Sequence, residues 1–412
     1  MRRRAFFVLL LLLGACRNEP PAPVAPARPA PPPPIEAERT NLLNIGYGAA
    51  VVSRTAELTL DHSALRAIDG DPASRWSSPP NDPQQTMTFS LAAPVRVEKL
   101  GLLIPPAPTV TIKTVTLETS HDGTTFTPVG GVQLKPTNEI QWFDAAIPAA
   151  RYVRATVGEG GSSLATLQSV HVKGEWLQSP SIAPIADCWA INEMTGTFAE
   201  RDGRVAAWLD TAPEKTQLDG GRFGGVYRFA WARGPQWGHV LITLSPDGKR
   251  LTGMKWHELT GGHSFGTSWF GERRSCAPSG MQPDLVVDTF LRQAGWYPLF
   301  SLHFDEKDAV VEQASGEALG IIENIVRGLP SQRIRLAARE YHEGTPEANR
   351  RRAETRLRTL RDALSRRGLD LSRVDFAPLG ADEPRIAITT EAMRILYGTV
   401  EIQVAADGRS TF

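Results

Sequence analysis

Charge imbalance is what this sequence lacks first: 45 Lys and Arg residues are matched by 45 Asp and Glu over 412 residues. A neutral total argues against a dedicated nucleic-acid binder, which needs a basic excess to neutralise phosphates, so no nucleic-acid partner is expected. Catalytic signatures are scarce as well. There is no H-E-x-x-H, no P-loop and no Cys–His pair at a catalytic spacing, and GTSWFG at 266–271 is not a nucleophile elbow, so the chain reads as non-catalytic. Carboxylate pairs assembled only in space would leave no such trace. His257-Glu258, His263 and Glu272 are close in sequence but have no metal-ligand spacing. Cysteine is limited to three positions, 16, 188 and 276, and the apolar run from Ala5 to Leu13 is too short to span a bilayer.

That run is nevertheless informative. Arg2 to Arg4 precede it and Leu13-Gly14-Ala15-Cys16 follows it, so residues 1–15 have the basic, apolar and small-residue regions of a secretory signal. The quartet ending in Cys16 resembles the lipobox of bacterial lipoproteins. The resemblance implies that Cys16 becomes a lipidated N-terminus tied to a membrane. Arg17 in place of Asp implies the outer membrane, on its periplasmic face or at the cell surface. An ordinary signal with an accidental cysteine is the alternative. Residues 16–40 continue as a linker: Glu19 to Glu36 is almost all Pro and Ala, and Pro31 to Pro34 lack donors and fix φ. As polyproline II it reaches about 55 Å, at ~3.1 Å per residue. Cys188 and Cys276 are then an even pair in an oxidising compartment, which points to a disulfide. Zinc competes, but two lone cysteines without a CxxC make a poor site.

Residues 41–176 alternate polar and apolar positions in short segments such as TMTFSL (86–91), VTLETS (115–120) and RYVRATV (151–157), separated by Gly, Pro and Asp clusters. This pattern predicts an antiparallel β-sandwich. Three stretches occur in order: Ala67, Asp69, Gly70 and Trp76; Ser120, Asp122, Gly123 and Phe126; and Arg151 to Arg154. Together they resemble discoidin domains, jelly-roll relatives of the coagulation-factor C-type, galactose-binding-like module. The resemblance implies binding of sugars or phospholipid head groups through loops at one end, and a structural calcium beside the DG loop. Asp69, Asp71 and Ser74 are the oxygen donors suited to such a hard cation. The family's C-terminal Glu ligand falls near Ser169 here. The other reading of Asp69 and Gly70 is a tight turn, with Trp76 packed in the core.

Residues 180–278 hold Cys188 and Cys276 near their two ends and carry six of the ten tryptophans: Trp189, Trp208, Trp231, Trp237, Trp256 and Trp269. Alternating stretches around Gly turns, with SPDG at 245–248 as a hairpin, predict a small β-meander or barrel stapled by the disulfide. The tryptophans fill its core or line a ligand cavity.

Residues 284–406 mix strands and helices. LFSLHF (299–304), RIRLA (333–337), VDFAPLG (374–380) and TVEIQV (399–404) read as strands, and Ser315 to Val326 as a helix. A second helix starts at an N-cap, Thr345, with Pro346 at its first position. It runs on a stripe of Ala353, Leu357, Leu360 and Leu364, and stops at Gly368. The β-α-β-α-β order, with Gly344, Asn349 and Arg356 in a G-x4-N-x6-R spacing, resembles the OmpA-like peptidoglycan-associated domain. In that family an Asp and the helix Arg clamp the diaminopimelate of peptidoglycan, a carboxylate for the ammonium and a guanidinium for the carboxylate. Arg356 fills the Arg position, but Tyr341 stands where the Asp is expected, with Glu340 beside it. Either Glu340 substitutes, giving a site of Glu340, Tyr341, Asn349 and Arg356, or the domain is only a scaffold. The eight arginines between Arg350 and Arg367 form a polyanion-binding face or a solvated one.

Two functions follow from this organisation. One is a non-catalytic outer-membrane lipoprotein that tethers the envelope by binding peptidoglycan or another glycan. The other is a surface adhesion scaffold that binds sugars or proteins through its β regions, with a degenerate OmpA-like domain. No cofactor is expected beyond the structural calcium.

Overall fold

A computed structural model describes residues 40–82, 84–104, 112, 114–135, 137–158, 164–211, 213–257, 266–275, 284–341, 345–382, 384–385 and 388–404. Cys16 with its signal, the Pro/Ala segment and Cys276 lie outside the described residues. No described helix is long and apolar enough to cross a membrane.

The first region has eight strands: β1 (Ala50–Arg54), β2 (Trp76–Ser77), β3 (Thr86–Leu103), β4 (Thr114–Ser120), β5 (Thr127–Gln133), β6 (Gln141–Val157), β7 (Thr166–Leu167) and β8 (Ser169–Trp176). The predicted sandwich forms because β3 and β6 are long enough to serve both of its layers. Their register slips between Ser90 and Lys99, so one end of the pair joins β1 and β4 while the other joins β8. Such shifts bend a strand around a sandwich corner. Alternation then turns Met87, Phe89, Leu100 and Leu102 inward, all fully buried. Trp76 pairs across β2–β7 with Leu167 and is also fully buried, a core residue. The chain enters through Asn41, whose side chain donates to Val170 O (3.0 Å) and accepts from Val172 N (2.9 Å), both on β8.

The second region is a closed barrel of β9 (Asp187–Ile191), β10 (Met194–Arg201), β11 (Arg204–Leu209), β12 (Thr216–Phe223), β13 (Val226–Arg233), β14 (Gln236–Leu244), β15 (Arg250–His257) and β16 (Thr267–Arg274). All neighbours are antiparallel, and β9 closes the ring between β10 and β16. Trp189, Trp231 and Trp269 fill its interior with Phe198, Tyr227, Phe229 and aliphatic side chains. Trp208, Trp237 and Trp256 are half-buried, and Trp237 meets Phe290 (4.9 Å) and Trp296 (6.2 Å) edge-on. Trp189, Trp231 and Trp269 therefore pack inside the barrel and Trp237 against the next region. One barrel end is shut by residues 181–186: the Tyr227 hydroxyl donates to Ala183 O (2.9 Å) and accepts from Ile185 N (3.1 Å), and Trp189 Nε1 donates to Ile185 O (2.8 Å).

The third region runs α1 (Asp284–Ala294), β17 (Trp296–Pro298), α2 (Gly316–Gly328), β18 (Ile334–Arg339), α3 (Pro346–Arg366), β19 (Val374–Gly380), α4 (Glu391–Tyr397) and β20 (Val400–Val404). The sheet order is β17-β20-β18-β19, with only β18–β19 parallel. In α3 the Thr345 hydroxyl accepts from Ala348 N (3.2 Å), and the apolar stripe from Ala353 to Leu364 is buried as the spacing predicts. Gly368 follows with φ at +73°, a conformation that favours glycine. The strand expected at 299–304 does not form. Only Trp296–Pro298 joins the ladder. Leu299 to Phe304 turns instead, with Phe300 N donating to Pro298 O and Leu302 N to Leu299 O (both 3.0 Å). Leu299, Phe300 and Leu302 are buried there, and an apolar run alone does not tell a strand from a packed turn. Helix α1 has no counterpart in the sequence reading.

These regions are not separate beads. One hydrophobic core runs through all three. At the sandwich–barrel junction, Thr243 Oγ1 donates to Ala49 O and Val51 N donates to Thr252 Oγ1, both at 2.9 Å. Between barrel and third region, Arg204 grips Asp219 bidentately (2.7 and 2.8 Å), Asp219 also accepts from the Tyr297 hydroxyl (2.5 Å), and Arg204 donates to Glu317 (3.3 Å). Gly46 lies so close to α4 that a Cβ would stand 2.6 Å from Glu391 Cγ.

Candidate functional site

In the DG loop all three predicted calcium donors are committed to protein partners. Asp69 Oδ1 accepts from Ser74 Oγ (2.7 Å) and Asp71 N (3.0 Å), and its Oδ2 accepts from Arg66 Nη1 (3.3 Å). Asp71 Oδ1 caps Ala73 N (2.9 Å). Arg66, 3% exposed, sets its positive charge directly against the Asp69 carboxyl, and it also donates to Gly266 O of the barrel. Burial pushes the Asp69 carboxyl up to about 7, against the pull of Arg66. These residues do not fit a calcium ion: a buried guanidinium already neutralises the carboxylate, and a dication beside it would be repelled. Among the described residues no three His, Cys, Asp or Glu side chains stand together as a metal site. Through Arg66 the loop ties the sandwich to the barrel.

The Ser120-Asp122-Gly123 motif forms a tight turn after β4. Asp122 Oδ1 accepts from the backbone N–H groups of Thr124 and Thr125 (both 2.8 Å), which hold its carboxyl well below the usual carboxylate range. Gly123 has φ at +77° and lies against the Tyr152 ring, where a Cβ would approach within 2.9 Å. Beside it the Arg154 guanidinium stacks on Phe126 at 3.4 Å and pairs with Glu118 at 3.5 Å. Further along β6, Trp142 is half-buried, edge-on to His171 at 5.7 Å.

The third region does bring Glu340 and Arg356 together. The two form a direct ion pair, 2% and 7% exposed. Arg356 Nε also donates to Asp308 Oδ1 (2.9 Å), as does Arg352 Nε (2.8 Å), and the Arg356 guanidinium lies 4.9 Å from the Phe304 ring. Burial raises the Glu340 carboxyl while Arg356 lowers it. Asn349 is buried at the start of α3, and Tyr341 packs half-buried against the core, its carbonyl accepting from Arg394 Nη1 (3.1 Å). A zwitterion between carboxylate and guanidinium would have to part a closed, desolvated pair. Most arginines of α3 and its C-cap are likewise occupied: Arg350 with Asp382 (2.7 Å), Arg366 with Glu312 (3.1 Å), Arg367 with Glu323, and Arg361 over Phe376 (4.3 Å). Arg351 and Arg358 remain exposed, which makes this a largely self-neutralised face.

Two partners in these clusters escaped the sequence. Arg66 stands three residues before Asp69, a spacing that could have flagged it. Asp308, in a left-handed turn (φ 58°), is 48 residues from Arg356 and left no local signal. The pattern Gly262-His263-Ser264-Phe265-Gly266 also fits G-x-S-x-G. It joins two antiparallel barrel strands, whereas a nucleophile elbow needs a strand-to-helix turn, and residues 262–265 lie outside the described ones.

The sequence profile of the F5/8 type C domain matches residues 51–167. The sandwich is an F5/8 type C domain. No curated protein matches the chain. Similar solved structures include the C-terminal domain of a Bacteroides fragilis chitobiase: 22% identity, 32% of this chain, 96% of that one, TM-score 0.30. Another is a family 32 carbohydrate-binding module from Clostridium perfringens in complex with GalNAc-β-1,3-galactose: 19% identity, 32% and 99%, TM-score 0.29. A third is a chitosan-binding module from Paenibacillus: 21% identity, 32% and 98%, TM-score 0.28.

Proposed function

We propose that this protein is a non-catalytic glycan-binding scaffold in which the F5/8 type C domain is the sugar-binding part. The F5/8 type C match over residues 51–167 carries the reading, because such domains commonly take sugars or phospholipid head groups through end loops. The closed Glu340–Arg356 pair favours this scaffold over the peptidoglycan clamp as the primary role. Lipidation of Cys16 would hold the scaffold at the outer membrane, with the Pro/Ala segment as its spacer. A Cys188–Cys276 disulfide belongs to the same proposal. Cys188 on β9 stands opposite Arg274 of β16, which is two residues before Cys276 in the sequence.

Binding of the soluble chain from residue 17 onward to immobilised galactosides, chitosan and purified diaminopimelate-type sacculi tests the proposal. Retention on a neutral glycan, with sacculus binding indifferent to Arg356→Ala, supports the scaffold. Sacculus binding abolished by Arg356→Ala in a folded protein would replace it with the tether. Mass analysis of the membrane-extracted protein tests the anchor, which requires acyl mass on Cys16.

A further inference from the structure

The barrel end opposite the one shut by residues 181–186 is built differently. Inward positions of β13 continue past Phe229 and Trp231 to Arg233, and those of β15 continue past Leu251 and Gly253 to Lys255 and His257. Trp231 and His257 both stand opposite Gly238, and the missing side chain lets their rings meet edge-on at 4.7 Å. Lys255 Nζ lies 3.6 Å from the Trp231 ring centroid and 6.0 Å from that of Trp269. The tryptophan faces stabilise the ammonium by cation–π attraction, but they do not neutralise it.

Three basic side chains thus gather at one mouth, all half-buried, and among the described residues none of them has a carboxylate partner within ion-pair distance. Arg233 donates to Gln236 Oε1 (2.9 Å), a neutral group. The acids at this end lie on the rim: Asp210 pairs with Lys215 (3.5 Å), Glu214 borders Gly234 of the next turn, and Glu193 is exposed in the β9–β10 turn. Glu258 and His263 of the β15–β16 connection lie outside the described residues. Burial and Arg233 push the Lys255 amine down to about 8, and burial, Lys255 and Arg233 lower His257. Uncompensated like charges held in partial burial cost stability, which an anion would recover.

We propose that this barrel mouth, through Lys255, His257 and Arg233, is a binding site for an oxyanion, a carboxylate or phosphate carried on a small polar ligand. Lys255 supplies the point charge, Arg233 the guanidinium fork and His257 a ring N–H. Barrel mouths are a common place for small-ligand sites. The site is separate from sugar binding by the sandwich, and either can fail without the other.

The test titrates the folded chain with D-glucuronate, inorganic phosphate and uncharged D-glucose, following the fluorescence of the tryptophans beneath Lys255. A saturable change with glucuronate, phosphate or both, absent with glucose, is expected, and which anion acts identifies the source of the oxyanion. Lys255→Met should weaken it by about tenfold or more, as loss of a desolvated charge partner does, while Lys255→Arg retains it. Affinity should fall between about pH 7 and about pH 9.5, as the amine loses its proton. Where Lys255→Met does not fold, acylation of Lys255 in the wild-type protein at about pH 8, read by peptide mass, replaces it, and the anion should slow that labelling. No anion-dependent change, equal response to glucose, unchanged affinity in folded Lys255→Met, or no protection of Lys255 would each overturn the proposal.

Discussion

Asp69 and Arg356 show how one neighbour decides what a charged residue is for. The Asp69 carboxyl has an ordinary value of 3.8 and is pushed up to about 7 by burial. Between those values the folded protein keeps a proton that the unfolded chain releases, so raising the pH through this window costs stability. Thermal melts from about pH 4 to about pH 7 should therefore show a declining contribution that Asp69→Asn removes. Melts with and without chelator should coincide, since Asp69 is already paired with Arg66. Arg356 is the opposite case, a cation whose removal strands a buried acid. Arg356→Ala should destabilise the chain by about 3–5 kcal/mol in denaturant unfolding, and Glu340→Gln in the same background should recover part of it. Both acids were visible in the sequence as ligand candidates. Their arginine partners are found only in three dimensions, because ligand and ion-pair partner are the same residue types.

At the scale of elements, legibility depended on how local the deciding interaction is. Helix α3 was readable from its N-cap, stripe and stop because each acts within a turn or two of chain, and Thr345→Ala should cost about 1 kcal/mol of stability in urea unfolding. The sandwich was readable from alternation and its DG motifs. For the next region the sequence left meander and barrel open, and the structure gives the barrel: β9 pairs with both β10 and β16, and the second partner lies some eighty residues away, beyond any periodicity. Nor did the apolar run at 299–304 reveal that it turns under the barrel. The barrel seam also locates the disulfide prediction, since Cys188 sits on β9 opposite the end of β16. Alkylation without reductant should leave Cys188 and Cys276 unlabelled, and label on either one would dissolve the proposed pair.

Across the whole molecule, composition and motifs delivered three regions but not their union. The continuous core and the Thr243, Thr252 and Arg204 bridges make them one cooperative body. Calorimetry of the chain should give a single transition, and a fragment of residues 41–176 should melt well below it, because Ala49 and Val51 would lose the barrel hydroxyls that satisfy their backbone groups. Separate transitions would contradict that union. Asn41 gives this body a mechanical character as well. Any tension arriving through the preceding segment meets first a side-chain amide bonded at Val170 and Val172, on a strand laced to β3 over most of its length. The load enters β8 in mid-strand, where pairing with β3 runs on both sides, and not at a fraying end, so the folded part resists being peeled apart from the side on which it would be tethered.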